Sequence, residues 1–389
     1  MIYIAAIGVG NRTGKYLRYF KGRENNVRIT AIVEPNPIRA QAALKEFPTA
    51  QHYSTSEEFF QNYNGPCDGV IIASPDKFHY EQTIQAINKS YNVLVEKPIA
   101  QSYQQCQAIA KAAQQQNVIV AVCYVLRFMP LYRKIKELID AGVIGQLTEV
   151  SHTVHVGKDR MMHTFVRGYW NKADETTPSF ISKCCHDLDM LLWLTGSKVT
   201  DIQSEGSLTF YRPENAPENA ATRCINCKTE TTCPYSAVDM YLRRNAWTDN
   251  FPVPEGKAKT EVLENELKTG RFGKCAFKAG NDVADYQTAT LKAGPLTIKI
   301  TMDGVSHKDG RNTIINGTKG RLETDGRTLK IIGPQTKILD FSKDAAMPLH
   351  ANADLALVED FVNAIKEDRQ PEVPIGEALE SHRIGFIAG

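Results

Sequence analysis

A glycine-rich turn followed by an acid, a lysine set directly after an apolar strand, and a histidine in a helical segment are the residues here whose spacing can do chemistry. The turn reads Gly8-Val9-Gly10-Asn11-Arg12-Thr13-Gly14. Glycines there let backbone N–H groups approach a pyrophosphate at the start of the next helix, with Gly8, Gly10, Asn11, Arg12 and Gly14 as contacts. The third glycine stands one place later than in the strict fingerprint. The second strand, Arg28–Val33, ends at Glu34, 26 residues after Gly8. A carboxylate there accepts hydrogen bonds from both adenosine ribose hydroxyls and repels a 2'-phosphate. NAD is therefore the expected cofactor, and Arg12 and Arg39 keep NADP open.

The strand Asn92–Val95 runs into Glu96-Lys97-Pro98, so Lys97 lies at the carboxyl edge of a parallel sheet, where such folds bind ligands. His186 begins a helical segment, His186–Leu194, and shares one face with Asp189 and Trp193. Asp189 either orients the imidazole or sits near the positive end of the helix dipole. Between Val154 and Trp170, His155, Lys158, Arg160, His163, Arg167, Tyr169 and Trp170 give the polar and aromatic mixture that sugar sites use, or else a solvated loop. His163 and Arg167 are the choices for substrate contact. Cys224, Cys227 and Cys233 place three thiols within reach of one metal ion. Structural zinc normally takes four ligands, and Cys275 is the other cysteine of that segment. Free thiols, an incidental disulfide or an iron–sulfur cluster are the other readings.

These groups need a scaffold, and 389 residues with 42% hydrophobic and 23% charged content suffice for two domains. The balance of 46 basic against 44 acidic side chains leaves no global field to gather nucleic acid or an anionic membrane. No apolar run is long enough to span a bilayer, and with no basic leader or small-residue cleavage site before the first strand, no secretory signal is expected. Nine mostly scattered cysteines suit a reducing compartment, so a soluble, cytoplasmic protein is expected.

Up to about Val122, short β-branched runs alternate with segments of helical period, the pattern of a parallel sheet with crossover helices. Strands are predicted at Ile2–Gly8, Val27–Val33, Gly69–Ala73, Val93–Val95 and Val118–Val122. The expected fold is α/β: an N-terminal Rossmann domain, doubly wound, over 1–123, and a C-terminal α+β domain over 124–389 with a large open, mostly antiparallel sheet. Strands Gln146–Val156, Val199–Tyr211, Asp285–Leu291, Leu296–Met302, Thr313–Asn316 and Arg321–Glu323 would build that second sheet. A Cys-containing excursion, about 212–280, interrupts it, and the helical ending, Asp354–Asp368 and Ile375–Ala388, is a candidate to pack back on the first domain.

Taken in order, these segments resemble the glucose–fructose oxidoreductase / inositol dehydrogenase (Gfo/Idh/MocA) family. The similarity rests on Glu96-Lys97-Pro98 and on Ser74-Pro75 with His79, where Asp76 replaces the more usual asparagine. It continues through Arg127-Phe128 with Leu131–Gly145, Cys184-Cys185-His186-Asp187-Leu188-Asp189 with Trp193, and the turn Ile314 to Gly320. The resemblance implies NAD(P) on the first domain, with Ser74, Pro75 and His79 beneath the nicotinamide and Glu96 and Lys97 beside it. It implies oxidation or reduction of a sugar or polyol, and a homo-oligomer, dimer or tetramer, joined through the C-terminal sheet. Lys97 matches the family's substrate-binding lysine and His186 its catalytic histidine; Arg127, His163, Arg167 and Lys183 complete the substrate-contact candidates. Removing a hydride from a carbinol also requires a base for the hydroxyl proton and a cation for the oxygen, roles that suit His186 and Lys97. One departure is Ser182, which stands where many members carry an aspartate four residues before the histidine. A redox-neutral glycosidase that keeps its NAD, a non-catalytic nucleotide or sugar sensor, and a fold-only interaction module are the alternatives.

Overall fold

The computed structural model describes residues 1–343 and 351–389. The chain divides into two compact units. The first contains Met1–Arg133, Leu188–Met190 and residues 351–386; the second contains Lys134–Asp187, residues 191–343 and Ile387–Gly389.

The first unit is built on a six-stranded, all-parallel sheet in the order β3-β2-β1-β4-β5-β6. Its strands are β1 (Ile2–Ile7), β2 (Val27–Val33), β3 (Gln51–Tyr53), β4 (Gly69–Ile72), β5 (Asn92–Val95) and β6 (Val120–Val122). Helices α1 (Asn11–Leu17), α2 (Pro37–Glu46), α3 (Ser56–Asn62), α4 (His79–Asn88) and α5 (Tyr103–Gln116) make the crossovers. Continuous apolar strands such as β4, every residue of which is buried, are what a sheet covered on both faces requires. Polar residues start these helices: Asn36, Thr55 and Ser102 are the N-caps of α2, α3 and α5, each accepting from backbone N–H groups of the first turn. Strand order reverses between β1 and β4, so the switch point lies at their carboxyl ends. The short β3 carries no hydrophobic run, which is why the sequence did not reveal it. α6 (Pro130–Asp140) follows β6, and the closing helices 351–367 and Ile375–Ala388 cluster largely with this unit.

The second unit holds an eight-stranded sheet in the order β14-β13-β12-β11-β7-β10-β9-β8. These are β7 (Leu147–His155), β8 (Asp201–Ser207), β9 (Tyr286–Ala293), β10 (Leu296–Asp303), β11 (Gly310–Gly317), β12 (Gly320–Thr324), β13 (Thr328–Ile332) and β14 (Lys337–Asp340). All neighbours run antiparallel except β7 and β10. Alternation sets the covered face: Val150, His152 and Val154 of β7 are buried along with Ile298, Ile300 and Met302 of β10. A short helix α7 (Lys158–Met161) runs on into a wider turn, Met162–Val166. α8 spans Ser179–Thr195, so His186 sits in mid-helix and does not start it. The excursion between β8 and β9 contains α9 (Lys259–Thr269) and several single turns of tighter helix. Among the described residues, no helix is long and apolar enough to cross a membrane.

Candidate active site

The glycine turn comes first because its geometry admits little else. Gly8 has φ +79°, and a Cβ there would lie 2.6 Å from the Ser74 backbone nitrogen. Only glycine satisfies both conditions. Gly10 and Gly14, by contrast, face open space, and no side chain caps the first turn of α1. Thr13 Oγ1 turns back to the Gly8 carbonyl, so it leaves the first amides of α1 uncovered. Glu34, at the end of β2, accepts from Val9 N at 2.7 Å and Asn36 N at 2.9 Å. That carboxylate braces the turn from one side and keeps further lone pairs for a ribose. A glycine cradle, uncapped amides and an acid fit a dinucleotide.

Arg12 does not join them. Its Nε lies 2.8 Å from Glu96 Oε1, and its Nη2 contacts Asp354 Oδ1 at 2.8 Å and the Tyr16 hydroxyl at 2.6 Å. Two nearly buried carboxylates need a counter-charge, and Arg12 is the guanidinium within reach. The Arg12 side chain is thus held in an internal tie, while its backbone N–H stays in the first turn of α1. Glu96 is fully engaged as well, accepting from Arg12, Tyr16 and the Lys97 backbone N–H. Burial alone would raise its pKa, but Arg12 and then Lys97 outweigh it and keep the carboxylate ionised.

Lys97 is half-buried just beyond β5, before a cis peptide bond to Pro98. Gly8, Ser74 and Lys97 thus leave β1, β4 and β5 at the same edge of the sheet. His79, expected under the nicotinamide, is buried, with its ring nitrogens 2.8 Å from the carbonyls of Pro98 and Ser74. It pins the loop after β4 to the loop after β5, which is how it shapes that edge. Ser74 Oγ donates to Gln82, and Pro75 precedes the turn 76–78.

Arg127 also has a different partner from the one expected. It is buried, grips Asp189 with two hydrogen bonds of 2.8 and 2.7 Å, and reaches Glu377 and the Glu372 carbonyl. This is an internal fork-to-fork ion pair. Asp189 thus serves Arg127, and it lies within α8 and not at its start.

In the second unit, α8 places Lys183, His186 and Asp187 on adjacent positions of one face. Asp187 is completely buried and accepts from Arg311 Nε and from His152 Nε2 at 3.0 Å. His152 in turn faces the Thr313 hydroxyl at 2.8 Å. Since the carboxylate can only accept, His152 donates from Nε2 to Asp187. Burial by itself would raise Asp187; Arg311 and then His152 hold it well below the usual carboxylate range. This Thr313–His152–Asp187–Arg311 chain was not singled out from the sequence. A histidine on the buried face of β7 was its one signal.

Half-buried Lys183 is lowered to about 7, first by burial and then by Arg160 and Arg311, against the pull of Asp309 and Asp187. An amine that titrates near neutrality can hold or pass a proton. His186, three residues on, is also half-buried. Ser182 is turned to Thr177, whose hydroxyl lies 2.5 Å away.

His163 and Arg167, expected at the substrate, are interior groups packed against the excursion. His163 stacks between Trp247 and Phe272, with centroids 5.1 and 4.8 Å away, and meets Tyr241 Oη and Asn250 Nδ2. Arg167 is buried and donates to the carbonyls of Lys274 and Tyr235. The cause is the long segment after β8, which folds over this strip and brings aromatic rings to it.

The neutral imidazole of His163 has a measurable consequence. Burial, then Arg167 and Arg160, pushes it down to about 4; in the first unit, burial does the same to His382, whose Nε2 accepts from Ile99 N. The unfolded chain takes up protons at these residues near pH ~6.5, whereas the folded chain refuses them until about pH 4. Their stabilising contribution is thus complete above the unfolded value and falls as the pH drops. Urea unfolding at pH 7 and 4.5 should show that loss, and His163→Gln should reduce its pH slope. An unchanged slope would remove His163 from the account.

Comparison with known proteins agrees with this scaffold. The model of the oxidoreductase family's NAD-binding Rossmann fold matches residues 2–124, and that of its C-terminal alpha/beta domain matches residues 136–388. YteT of Bacillus subtilis (strain 168), provisionally named an oxidoreductase, is 25% identical over 306 residues, 76% of this chain and 70% of its own. A 2,7-anhydro-N-acetylneuraminate hydratase of Mediterraneibacter gnavus is 27% identical over 210 residues, 54% of each chain. The chain therefore spans only about half the length of that curated relative. Among solved structures, levoglucosan dehydrogenase in complex with NADH and levoglucosan has the same fold, with TM-score 0.73 at 14% identity, covering 100% of this chain and 96% of that one. With both family models matched across nearly its whole length, the chain belongs to the Gfo/Idh/MocA oxidoreductase family, with a nicotinamide-dinucleotide-binding Rossmann fold.

Proposed function

We propose that this protein moves a hydride between NAD and a hydroxyl-bearing carbon of a sugar, sugar derivative or cyclitol. The observation that carries the reading is the placement of Lys97 just past β5, at the sheet edge that also holds the open glycine turn. When bound, the nicotinamide supplies the hydride acceptor or donor. Lys97 holds the substrate oxygen as charge develops on it, and His186 exchanges the hydroxyl proton. Lys183 binds substrate on the same face of α8, where its amine offers a charge that Ser182 lacks. Arg127, His163 and Arg167, committed to internal partners, are not part of this proposal. It places the protein in the cytoplasm, as a dimer or tetramer joined through the eight-stranded sheet, which sedimentation of the purified chain would test.

The decisive experiment offers polyols, sugars and glycosides with NAD or NADP, follows nicotinamide absorbance and checks products by mass. Turnover of a hydroxylated substrate with matching NADH formation is expected; cofactor binding without any turnover would leave a sensor. A second reading, redox-neutral catalysis with retained NAD, is favoured by the similarity to a hydratase. Product formation without net NADH would select it.

Cofactor choice rests on Glu34. Glu34→Ala is expected to weaken NAD by about tenfold and NADP by less, since the lost carboxylate both binds the ribose and repels a 2'-phosphate. Calorimetric titration with each cofactor reads this directly. An unchanged preference would leave Glu34 only its brace on Val9.

A further inference from the structure

Fifty residues separate Cys224 from Lys274, yet the Cys224 thiol lies 3.7 Å from the Lys274 carbonyl. An isolated antiparallel bridge joins Arg223 to Lys274, and Cys275 N donates to Thr222 O at 2.9 Å, so the two cysteine-bearing segments are zipped side by side. Cys227 N donates to Cys224 O at 3.0 Å, a tight turn that holds the two cysteines of a Cys-x-x-Cys pair close together. Cys224, Cys227, Cys233 and Cys275 then line a single small cavity. All four are free thiols.

The charge beside them is the second observation. Arg167 is 1% exposed, and its hydrogen bonds go to two carbonyls and to the Cys224 sulfur at 3.8 Å, none to a carboxylate. Its Nη1 is buried without a hydrogen-bond partner. A guanidinium in such a place calls for a counter-charge, and none of its hydrogen-bond partners is a carboxylate.

We propose that Cys224, Cys227, Cys233 and Cys275 bind one divalent metal ion of the zinc class as a tetrathiolate. Each thiol gives up its proton, and the four thiolates with the ion carry a net charge of −2, which answers the Arg167 guanidinium. Among the described residues no three His, Cys, Asp or Glu side chains already stand in a metal-holding arrangement. Binding therefore requires the thiols to turn inward, as with Cys227, whose sulfur now faces Thr229 Oγ1 at 3.3 Å. The site clamps a segment that regular structure holds poorly, and it is independent of the nicotinamide site.

Elemental analysis of the full chain, purified without chelator, should find about one zinc per chain. Cys227→Ser and Cys275→Ser should lose it, while Cys106→Ser, in α5, should keep it. Should the serine variants fail to fold, metal-stripped wild-type protein titrated with Co²⁺ should develop the near-ultraviolet absorption of thiolate coordination. Metal-free protein with no such absorption, or a disulfide among these cysteines by mass spectrometry, would overturn the proposal.

Discussion

Lys97→Ala is expected to lower turnover by about a thousandfold or more while NAD affinity stays within about twofold. The reasoning follows from what each group touches. Gly8 stands against the Ser74 backbone, and Glu34 accepts from Val9 N and Asn36 N, so backbone groups and Glu34 shape the glycine turn. The Lys97 ammonium instead extends from a short segment pinned on both sides. Glu96 holds the Lys97 backbone N–H, and His79 and His382 hold the carbonyl of Pro98 and the N–H of Ile99. Truncating the side chain removes a positive charge from the developing alkoxide and leaves that frame in place. Separate measurement of kcat and of NAD binding distinguishes the outcomes. Equal losses in both would mean that Lys97 serves the cofactor and not the substrate.

The second large effect concerns stability. Asp187→Ala is expected to destabilise the fold by about 3–5 kcal/mol, because it leaves Arg311 and His152 facing a vacated interior. Thermal unfolding should register this as a drop of roughly 10 °C. A double-mutant cycle gives the sharper reading: Asp187→Ala with Arg311→Ala should cost clearly less than the sum of the two single changes. Additive costs would show that the ion pair contributes nothing beyond packing. The pH dependence is opposite in origin to that of the buried histidines. The Asp187 carboxylate, held below its ordinary range, contributes fully at neutral pH, and that contribution is lost only in strong acid as the group is protonated. His163 and His382 instead contribute a loss of stability as the pH falls from 6 to 4.5.

Because His186 adjoins Asp187 on α8, the same substitution should also lower turnover, through loss of helix position. Asp187→Asn keeps the shape but removes the charge. It should retain more activity than Asp187→Ala while losing comparable stability, a split that a purely steric role would not produce.

What the sequence by itself determined is the part carried by neighbours in the chain. The succession β1, glycine turn, α1, β2 and Glu34 is local, and so is the placement of Lys97 one step beyond β5. Periodicity, caps and spacing encode these within a few tens of residues. Side-chain partnership was not legible in the same way. Arg127 and Asp189 are 62 residues apart, Arg12 and Asp354 are 342 apart, and Asp187 and Arg311 are 124 apart. A buried charge takes whichever opposite charge the fold brings within hydrogen-bond reach, since leaving it unpaired in a low-dielectric interior costs several kcal/mol. That choice is made by the packing of distant elements. It gave Arg12, Arg127 and Arg167 internal partners, and it gave His152 and Arg311 a place beside α8.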